Sequence, residues 1–495
     1  MSSNALRRAA TLLALAIATA VPAGLVQAQT AATGWTQYQG DAAHSGTLAD
    51  GPEPPYRVRW TRPAPEGASL SGAVILGELA ITLGDRTVYA IDLETGEVSW
   101  EVARDGGPLS IPAATSGSDP LVLFVDGPGA TTEPAPATGS TSAPTGTPSG
   151  SPEASVSPSP GATSTDGEVG AFLVAIDPAT QEEAWRRPLT AASRTGVAVG
   201  GDTAYVGDLQ GNVTAVDVAD GAVRWTTDVG GRVDVPLAAA GDVVVAVSRD
   251  VDAREITISA LGVSDGEPVW EPRAFQLGST AASAPAVSAG SVFVGLPDRS
   301  VSAFAVQDGA ERWRSLALSV FSPATAPAAS EGSVYMADLG GGLYALDPLD
   351  GARRWTYQLN ELVLRSAPVR AGGTVLLGLQ DGRLVALDDV TGHLVWQGPR
   401  TPGLIGAIAL APDVVVAVKG GRDAGLIAFE PDPTGRLIDV PTPTELDAGT
   451  TLPRVAVAAV IALVITLAPG MVARRRFGDA FVQDEDEGVV KQSDE

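Results

Sequence analysis

The chain has 495 residues, and 32 Lys and Arg against 58 Asp and Glu give a formal net charge of −26. This acidity excludes non-specific nucleic-acid binding as the main activity, because phosphate recognition needs a basic face. The absence of cysteine excludes disulfides, thiolate nucleophiles, iron–sulfur clusters and a lipid-carrying cysteine, and two histidines leave no multi-histidine metal site. The 57 Gly and 37 Pro are too many for a helical protein.

The first residues are typical of a secretory signal peptide. Arg7 and Arg8 precede an uncharged apolar run, and Val26-Gln27-Ala28 follows as a small-residue cleavage site. We predict a signal peptide over residues 1–28; the alternative is a permanent N-terminal anchor, for which the run is short.

A repeated unit, Ala-x-Asp-x-x-x-Gly-x-x-x-Trp, fills the body of the chain. Complete copies begin at Ala90, Ala215, Ala345 and Ala386, eroded copies end at Trp185, Trp270 and Trp313, and a last copy at Ala428 has no tryptophan. Most repeat alanines are 40–45 residues apart. Units of this length with four short strands are propeller blades, so the sequence predicts a β-propeller over residues 35–440.

Each repeat position has a physical reason. The alanine lets the neighbouring blade approach closely, and the aspartate can accept hydrogen bonds from the amides of the following turn. The glycine supplies the positive φ of a tight hairpin, and the tryptophan on the next strand covers the gap between adjacent sheets.

One interval between repeat alanines is longer because of an insert of Pro, Ser, Thr, Gly and Ala over residues 127–168. Low hydrophobicity and many prolines predict disorder, and the repeat places the insert between the second and third strands of its blade. A spacer, an O-glycosylated stalk and an arm that contacts the cell wall are equally open as its role.

The blade count follows from two incomplete repeats. Trp60 has no Ala-x-Asp half before it, and the last repeat has no tryptophan, so the two fragments together complete one blade and leave no open sheet edge. We therefore predict eight blades, with the repeat tryptophans largely buried at Trp60, Trp100, Trp185, Trp225, Trp270, Trp313, Trp355 and Trp396. Trp35 is not one of the repeat tryptophans, so a position on an outer face of the propeller is open to it.

The C-terminal region is typical of a membrane anchor. A proline-containing linker, 441–453, leads to an uncharged run ending at Ala473, and Arg474-Arg475-Arg476 follows. We predict a transmembrane helix over 454–473 rather than a buried core helix, with the acidic tail 474–495 in the cytoplasm and the propeller outside it. The tail is most simply a solvated polymer, and a docking role is the alternative.

These repeats resemble those of the pyrroloquinoline-quinone-type (PQQ-like) eight-bladed β-propellers. That family includes quinoprotein alcohol dehydrogenases and the outer-membrane assembly propeller. This chain resembles the non-catalytic branch of the family, to which the assembly propeller belongs. The opening Trp35-x-x-x-x-Gly40-Asp41-x-x-x-x-Gly46 is similar to the segment that precedes blade one in the family. The resemblance implies an all-β eight-bladed propeller closed between its N- and C-terminal strands.

Residues that precede each innermost strand are expected to surround the central funnel. Aligning the repeats places Arg194, Arg232, Asp234 and Arg365 at this funnel mouth, where they suit binding or stand as solvated loop charges. A quinoprotein dehydrogenase, by resemblance, would need Glu, Asn and Asp ligands to calcium, an Asp base and often a vicinal disulfide. The rim offers one carboxylate, no asparagine and no cysteine, so we predict no catalytic, cofactor or metal site. His44 and His393 are expected to be without a catalytic role, His393 in an exposed turn.

The sequence thus favours a membrane-anchored, extracytoplasmic propeller that acts as a scaffold for a protein or an envelope polymer without catalysis. A PQQ-dependent dehydrogenase and a ligand sensor are the alternatives. In a propeller, the funnel mouth and the insert share one face, so the chain that departs near Pro441, after a third strand, should leave from the opposite face.

Overall fold

The computed structural model describes residues 34–65, 69–127, 171–276, 283–315, 325–363, 366–421 and 423–438. The predicted signal peptide, nearly all of the insert, the linker 441–453, the predicted transmembrane helix 454–473 and the tail 474–495 lie outside these residues. The described ranges contain no helix with both the length and the apolar character that spanning a bilayer requires.

The described chain forms eight sheets, as the repeat count predicts. Two strands precede the first full repeat, β1 (Thr47–Leu48) and β2 (Tyr56–Pro63). Blade 1 contains β3 (Val74–Leu76), β4 (Leu79–Leu83), β5 (Thr87–Asp92) and β6 (Val98–Ala103). Blade 2 contains β7 (Ala113–Ala114), β8 (Val122–Asp126), β9 (Phe172–Asp177) and β10 (Glu182–Pro188). Blade 3 contains β11 (Ala198–Gly200), β12 (Thr203–Gly207), β13 (Asn212–Asp217) and β14 (Val223–Asp228).

The remaining blades follow in chain order. Blade 4 contains β15 (Arg232–Val233), β16 (Ala238–Ala240), β17 (Val243–Asp250), β18 (Glu255–Gly262) and β19 (Arg273–Gln276). Blade 5 contains β20 (Ala286–Ser288), β21 (Ser291–Gly295), β22 (Val301–Ala305) and β23 (Glu311–Ser315). Blade 6 contains β24 (Ala328–Ala329), β25 (Val334–Ala337), β26 (Gly342–Leu346) and β27 (Arg353–Gln358). Blade 7 contains β28 (Val369–Ala371), β29 (Thr374–Gly378), β30 (Leu384–Asp388) and β31 (Leu394–Gln397).

Blade 8 closes the ring with strands from both ends of the chain. It contains β32 (Leu404–Ala411), β33 (Val414–Gly420) and β34 (Gly425–Pro431), and β2 pairs with β34 as its outer strand. Trp60 lies opposite Ala428 in this pairing. Glu430 accepts from Arg57 and Arg59 across the same two strands, at 2.6 and 2.7 Å. The predicted closure is confirmed.

The repeat residues meet as a unit at each blade junction. The repeat alanine lies directly opposite the repeat tryptophan across the two outer strands, as Ala215 does opposite Trp225. The indole then packs on the turn of the next blade: a Cβ added to Gly266 would lie 2.5 Å from the Trp225 ring. Its Nε1 donates to the Val263 carbonyl oxygen at 2.9 Å. The tight packing explains why the turn needs glycine, in addition to its positive φ of 72°.

Blade 2 shows what the glycine contributes. Gln181 stands at its turn position and keeps a positive φ of 63°. Trp100, which packs against this blade, has a buried Nε1 with no hydrogen-bond partner among the described residues. The substituted turn therefore still folds, but without the indole hydrogen bond made at most other junctions.

Three tryptophans depart from the expected arrangement. Trp60 is only partly buried, whereas the other repeat tryptophans are 6–8% exposed. Trp270 precedes β19 rather than lying on it, because Pro268 and Pro272 cannot donate to the ladder on either side. Trp35 is 2% exposed, so an outer-face position is wrong.

The strand directions define two faces. Innermost strands begin, and second strands end, on one face, which we call the mouth face. The insert departs after β8, the second strand of blade 2, and returns before β9, so the described residues that flank it, Gly127 and Ala171, lie on the mouth face. β34 is a third strand and ends at Pro431 on the opposite face. Arg365 and Pro441 lie outside the described residues, so the predicted separation of the funnel mouth and the C-terminal chain stays a prediction.

Candidate functional site

The central channel is filled by the segment that precedes the blades, residues 35–48, which we call the lead-in. Its backbone oxygens accept hydrogen bonds from amides in the middle of the innermost strands. Ile75 donates to Trp35 at 2.7 Å, Val287 to Ala43 at 2.8 Å, and Arg370 to Gly46 at 2.7 Å. The lead-in thus pairs with sheet edges that would otherwise be open along the channel.

Side chains of the lead-in fix it in place. The Gln37 amide both donates to the Val199 carbonyl oxygen at 2.9 Å and accepts from its amide at 2.6 Å. Asp41 Oδ1 accepts from the amides of Ala43 and Ser45, both at 3.0 Å. The Trp35 ring lies 3.0 Å from where a Cβ on Gly40 would stand, so glycine is required there. A cavity of only about 20 Å³ is left beside these residues, enough for one or two waters.

His44 belongs to this packing rather than to a solvent-exposed turn. It is 2% exposed, and its Nδ1 donates to the Pro285 carbonyl oxygen at 2.6 Å. Burial lowers the pKa of His44 to about 4, against a smaller raising effect of the Asp41 carboxylate. The imidazole is therefore neutral near pH 7 and has a structural role. His393 is exposed in its turn, as expected.

Hydroxyl groups hold the mouth end of several innermost strands, a device that the sequence analysis did not identify. Ser283 Oγ accepts from the Gly295 amide at 2.7 Å, and Ser366 Oγ accepts from the Gly378 amide at 2.8 Å. Thr195 Oγ1 accepts from the Gly207 amide at 3.1 Å in the same way. These rim hydroxyls are buried and bonded within their blades, so they support the mouth rather than line it.

Three arginines and one aspartate gather at the mouth between blades 3 and 4. Arg194, Arg232 and Asp234 were predicted there, and Arg249 on β17 joins them. We call these four residues the mouth cluster. Arg365 lies outside the described residues. The sequence contained one signal for Arg249, since a second strand that ends on the mouth face must bring its last side chains to the rim.

The mouth cluster combines one ion pair with two exposed arginines. Arg249 Nε donates to Asp234 Oδ1 at 2.9 Å, and its Nη2 is bonded to Oδ2, so this pair is bidentate. Arg232 lies opposite Arg249 in the β15–β17 pairing. Burial lowers the pKa of Arg249, and the charges of Arg232 and Arg194 lower it further. Asp234 is the ion-pair partner of Arg249, and the side chains of Arg194 and Arg232 are exposed beside this pair.

A second charged pair lies at the stem of the insert on the same face. Arg104 and Asp126 are buried, with Nε and Oδ1 3.3 Å apart. Arg104 Nη2 also donates to the carbonyl oxygens of Gly106 and Val125 at 2.6 and 2.9 Å. These bonds tie the loop after β6 to the end of β8, so the pair is a structural clamp where the insert begins.

The mouth residues do not fit a calcium-bound quinone. Among the described residues there is no group of three or more His, Asp or Glu side chains that could hold a metal ion. Asp234, the carboxylate of the mouth cluster, is taken by Arg249. The donor set that the quinoprotein dehydrogenases would need is therefore not assembled at the described part of the mouth.

Comparison with protein families gives a match to the model described as outer membrane protein assembly factor BamB, over residues 166–316 and 251–362. The BamB of Nitrosomonas eutropha is 31% identical over 143 residues. That match covers 28% of this chain and spans about a third, 34%, of the relative's length.

Solved structures share the fold at low sequence identity. BamB from Moraxella catarrhalis is 15% identical with a TM-score of 0.53, covering 76% of this chain and 100% of that one. The designed protein Ika8 gives 15%, a TM-score of 0.55, and the same coverages of 76% and 100%. A quinohemoprotein alcohol dehydrogenase from Pseudomonas putida HK5 is 12% identical with a TM-score of 0.55, over 83% of this chain and 82% of that one. A BamB protein and an alcohol dehydrogenase are thus both among the similar structures.

Proposed function

We propose that this β-propeller, whose repeats match the BamB family model over residues 166–316 and 251–362, is a binding scaffold without catalytic activity. Its partner is a protein that carries an exposed acidic segment. The binding surface is the mouth, and the mouth cluster provides the attraction.

The observation that carries this proposal is the exposed Arg194 and Arg232 pair on a chain of net charge −26. Acidic partners are repelled by most of such a surface, so a local cationic site determines where they dock. Arginine suits this role because its planar guanidinium binds carboxylates in a bidentate manner.

The lead-in makes the mouth a one-sided site. Because it fills the channel, a partner reaches the funnel from the mouth face alone. The relative named as an outer membrane protein assembly factor supports a protein partner over an envelope polymer. The absence of a metal-holding cluster in the described mouth supports binding over redox chemistry.

The cellular placement rests on the sequence. A signal peptide over 1–28 would deliver the propeller outside the cytoplasm, and an apolar helix over 454–473 would tether it to the membrane. β34 ends on the face opposite the mouth. A tether that leaves from that face would point the mouth cluster away from the bilayer, toward partners in the envelope.

Site-specific photo-crosslinking in cells, with the full chain, tests the proposal. A crosslinker at position 232 should capture a defined protein, whereas one at Arg353, exposed on the outer strand of blade 6, should not. With the captured protein purified, Arg194→Glu plus Arg232→Glu should weaken binding by about tenfold or more, since charge reversal adds repulsion to the lost attraction. Arg353→Glu is the matched control and should leave the affinity unchanged.

Three results would overturn the proposal in whole or in part. Equal affinity of the double charge reversal and the Arg353→Glu control would remove the mouth cluster from binding. Alcohol-dependent dye reduction by the purified chain after loading with PQQ and calcium, with no reduction when the alcohol is omitted, would establish the dehydrogenase alternative instead. Capture of a carbohydrate polymer at position 232, with no protein, would keep the site but replace the partner.

A further inference from the structure

Lys419 is an unusual residue for its position. It is one of two lysines in the chain, lies next to the end of β33, and is 6% exposed. In the described parts of the chain, Lys419 makes neither an ion pair nor a hydrogen bond through its side chain. The Lys419 side chain is thus largely removed from water without a counter-charge among the described residues, so an anion bound beside its ammonium would be stabilised.

Lys419 lines a pocket of about 260 Å³ on the mouth face, between blades 8, 1 and 2. The other walls are mainly apolar, formed by Leu70, Leu109, Ile111 and Leu404. Ser71 also lines the pocket, but its Oγ already accepts from the Leu83 amide at 2.9 Å and donates to the Gly72 carbonyl oxygen at 2.7 Å. Lys419 is therefore the charged group that a ligand meets among the described lining residues.

The pocket opens toward the mouth and is closed below. Ile111 and Ala407 line both this pocket and the small cavity that the lead-in borders. A ligand can enter from the mouth face but cannot continue along the channel. The mouth cluster belongs to blades 3 and 4, so the Lys419 pocket is a separate site.

We propose that the Lys419 pocket binds a small carboxylate carried on an apolar group. The ammonium pairs with the carboxylate, and the leucine and isoleucine walls cover the hydrocarbon. Phosphate and sulfate fit poorly, because a single ammonium offers too few donors for their oxygens. The volume is slightly below that of ordinary small-molecule sites, which limits the apolar group to a short branched chain or one aromatic ring. The carboxylate could come from a free acid or from the C-terminal residue of another protein, and the same pocket chemistry serves both.

Binding of defined probes to the full chain tests this proposal. We expect isovalerate or phenylacetate to bind in isothermal titration calorimetry, and phenylacetamide, its neutral counterpart, to bind at least tenfold more weakly. A short peptide ending in leucine distinguishes the two sources of the carboxylate. If the peptide with a free C-terminus binds more tightly than both its amidated form and isovalerate, the ligand is a protein terminus. Tighter binding of the free acids indicates a small metabolite.

Two variants make the test independent of folding. Lys419→Met removes the charge at similar size, so it should abolish carboxylate binding while leaving the thermal midpoint equal or higher, since no unpaired charge stays buried. Leu404→Trp keeps the lysine but fills the pocket, and should also lose binding of phenylacetate. The proposal is overturned if acid and amide bind equally, if none of the probes binds, or if Lys419→Met binds them as well as the wild type. Neither variant should alter binding of a partner to the mouth cluster, which separates this site from the proposed function.

Discussion

The two ends of the propeller channel are formed by the same eight innermost strands but are completed in different ways. At the lead-in level, main-chain oxygens satisfy the strand amides, and Trp35 and His44 are almost fully buried. At the mouth, buried hydroxyls accept from strand amides and Arg249 pairs with Asp234, while the side chains of Arg194 and Arg232 are exposed. One end is thus a closed structural element, and the other is the surface at which we propose that a partner binds. Substitutions at the first end should change stability, and substitutions at the second should change binding.

The largest effect is expected for Trp35→Ala. Removing a buried indole from a packed core costs about 3–5 kcal/mol in the free energy of unfolding, and here it also removes the contact with Gly40. Denaturant unfolding followed by tryptophan fluorescence or circular dichroism measures the change. Leu349→Ala, at a residue 76% exposed, is the control and should shift stability by less than about 0.5 kcal/mol. An equal change in both variants would mean that the lead-in does not hold the channel.

Acid should weaken the lead-in end next. In the folded chain the pKa of His44 is about 4, below the ordinary value of about 6.5. Between these two pH values His44 is protonated in the unfolded chain but neutral in the folded chain. Stability is therefore full above about pH 6.5 and falls as the pH drops toward 4, by an upper limit on the order of 3 kcal/mol.

A pair of histidine variants checks this pH dependence. His44→Asn keeps a donor for the Pro285 carbonyl oxygen but does not titrate. A plot of the free energy of unfolding against pH between 7 and 4.5 should therefore have a smaller slope than in the wild type. His393→Asn removes the exposed histidine and should leave the slope as in the wild type. Below about pH 4 a second loss of stability follows in all variants, because the folded chain lowers the pKa of repeat aspartates. For Asp177 the main cause is a hydrogen bond from a turn amide. For Asp347 the largest cause is the hydrogen bond from the Arg354 side chain, and a turn amide adds to it. Parallel slopes for the two histidine variants would contradict the assignment to His44.

Blade junctions should respond to glycine substitutions according to what lies beyond the turn. Gly96 and Gly77 both have positive φ, 72° and 59°, so alanine strains each backbone by about 1–2 kcal/mol. A Cβ at Gly96 would also meet the Trp60 ring at 2.6 Å, whereas one at Gly77 meets nothing within 4 Å. Gly96→Ala should therefore destabilise the propeller by about 1–3 kcal/mol more than Gly77→Ala, as measured by thermal unfolding. Equal losses would show that the Trp60 indole can move aside without a cost in stability.

The smallest expected effect is a gain. Gln181 holds a left-handed conformation that costs a side chain about 1–2 kcal/mol, so Gln181→Gly should raise the free energy of unfolding by about 1 kcal/mol. The comparison residue is Glu182, exposed at the start of β10, where glycine should be neutral or destabilising. A loss of stability in Gln181→Gly would show that the Gln181 side chain makes a compensating contribution.

The repeat made most of the fold predictable, because each of its residues has a fixed local task. The aspartates accept turn amides, as Asp217 does from Ala219 at 2.9 Å, and the tryptophans meet the following glycines. The split of blade 8 between β2 and β34 followed from the same pattern. Trp270 shows its limit, since the flanking prolines override the repeat and displace the strand.

The site was less predictable, because it depends on register and on contacts between distant segments. Arg249 joins the mouth cluster through its pairing with Arg232, which needs the β15–β17 register. Lys419 ends a run of valines and alanines, and the pocket that it lines is completed by Leu70 from a loop and Leu404 from β32. The lead-in carries a recognisable motif but little periodicity, so its course through the channel could not be read from spacing.

The central claim is that partners dock at the mouth, and hydrogen–deuterium exchange of the full chain with its captured partner tests it most directly. The account predicts slower exchange on binding in peptides that cover residues 190–196 and 229–235. The turns at 348–351 and 389–392, on the opposite face, should exchange at unchanged rates. Protection confined to those turns, with the mouth peptides unaffected, would contradict the claim.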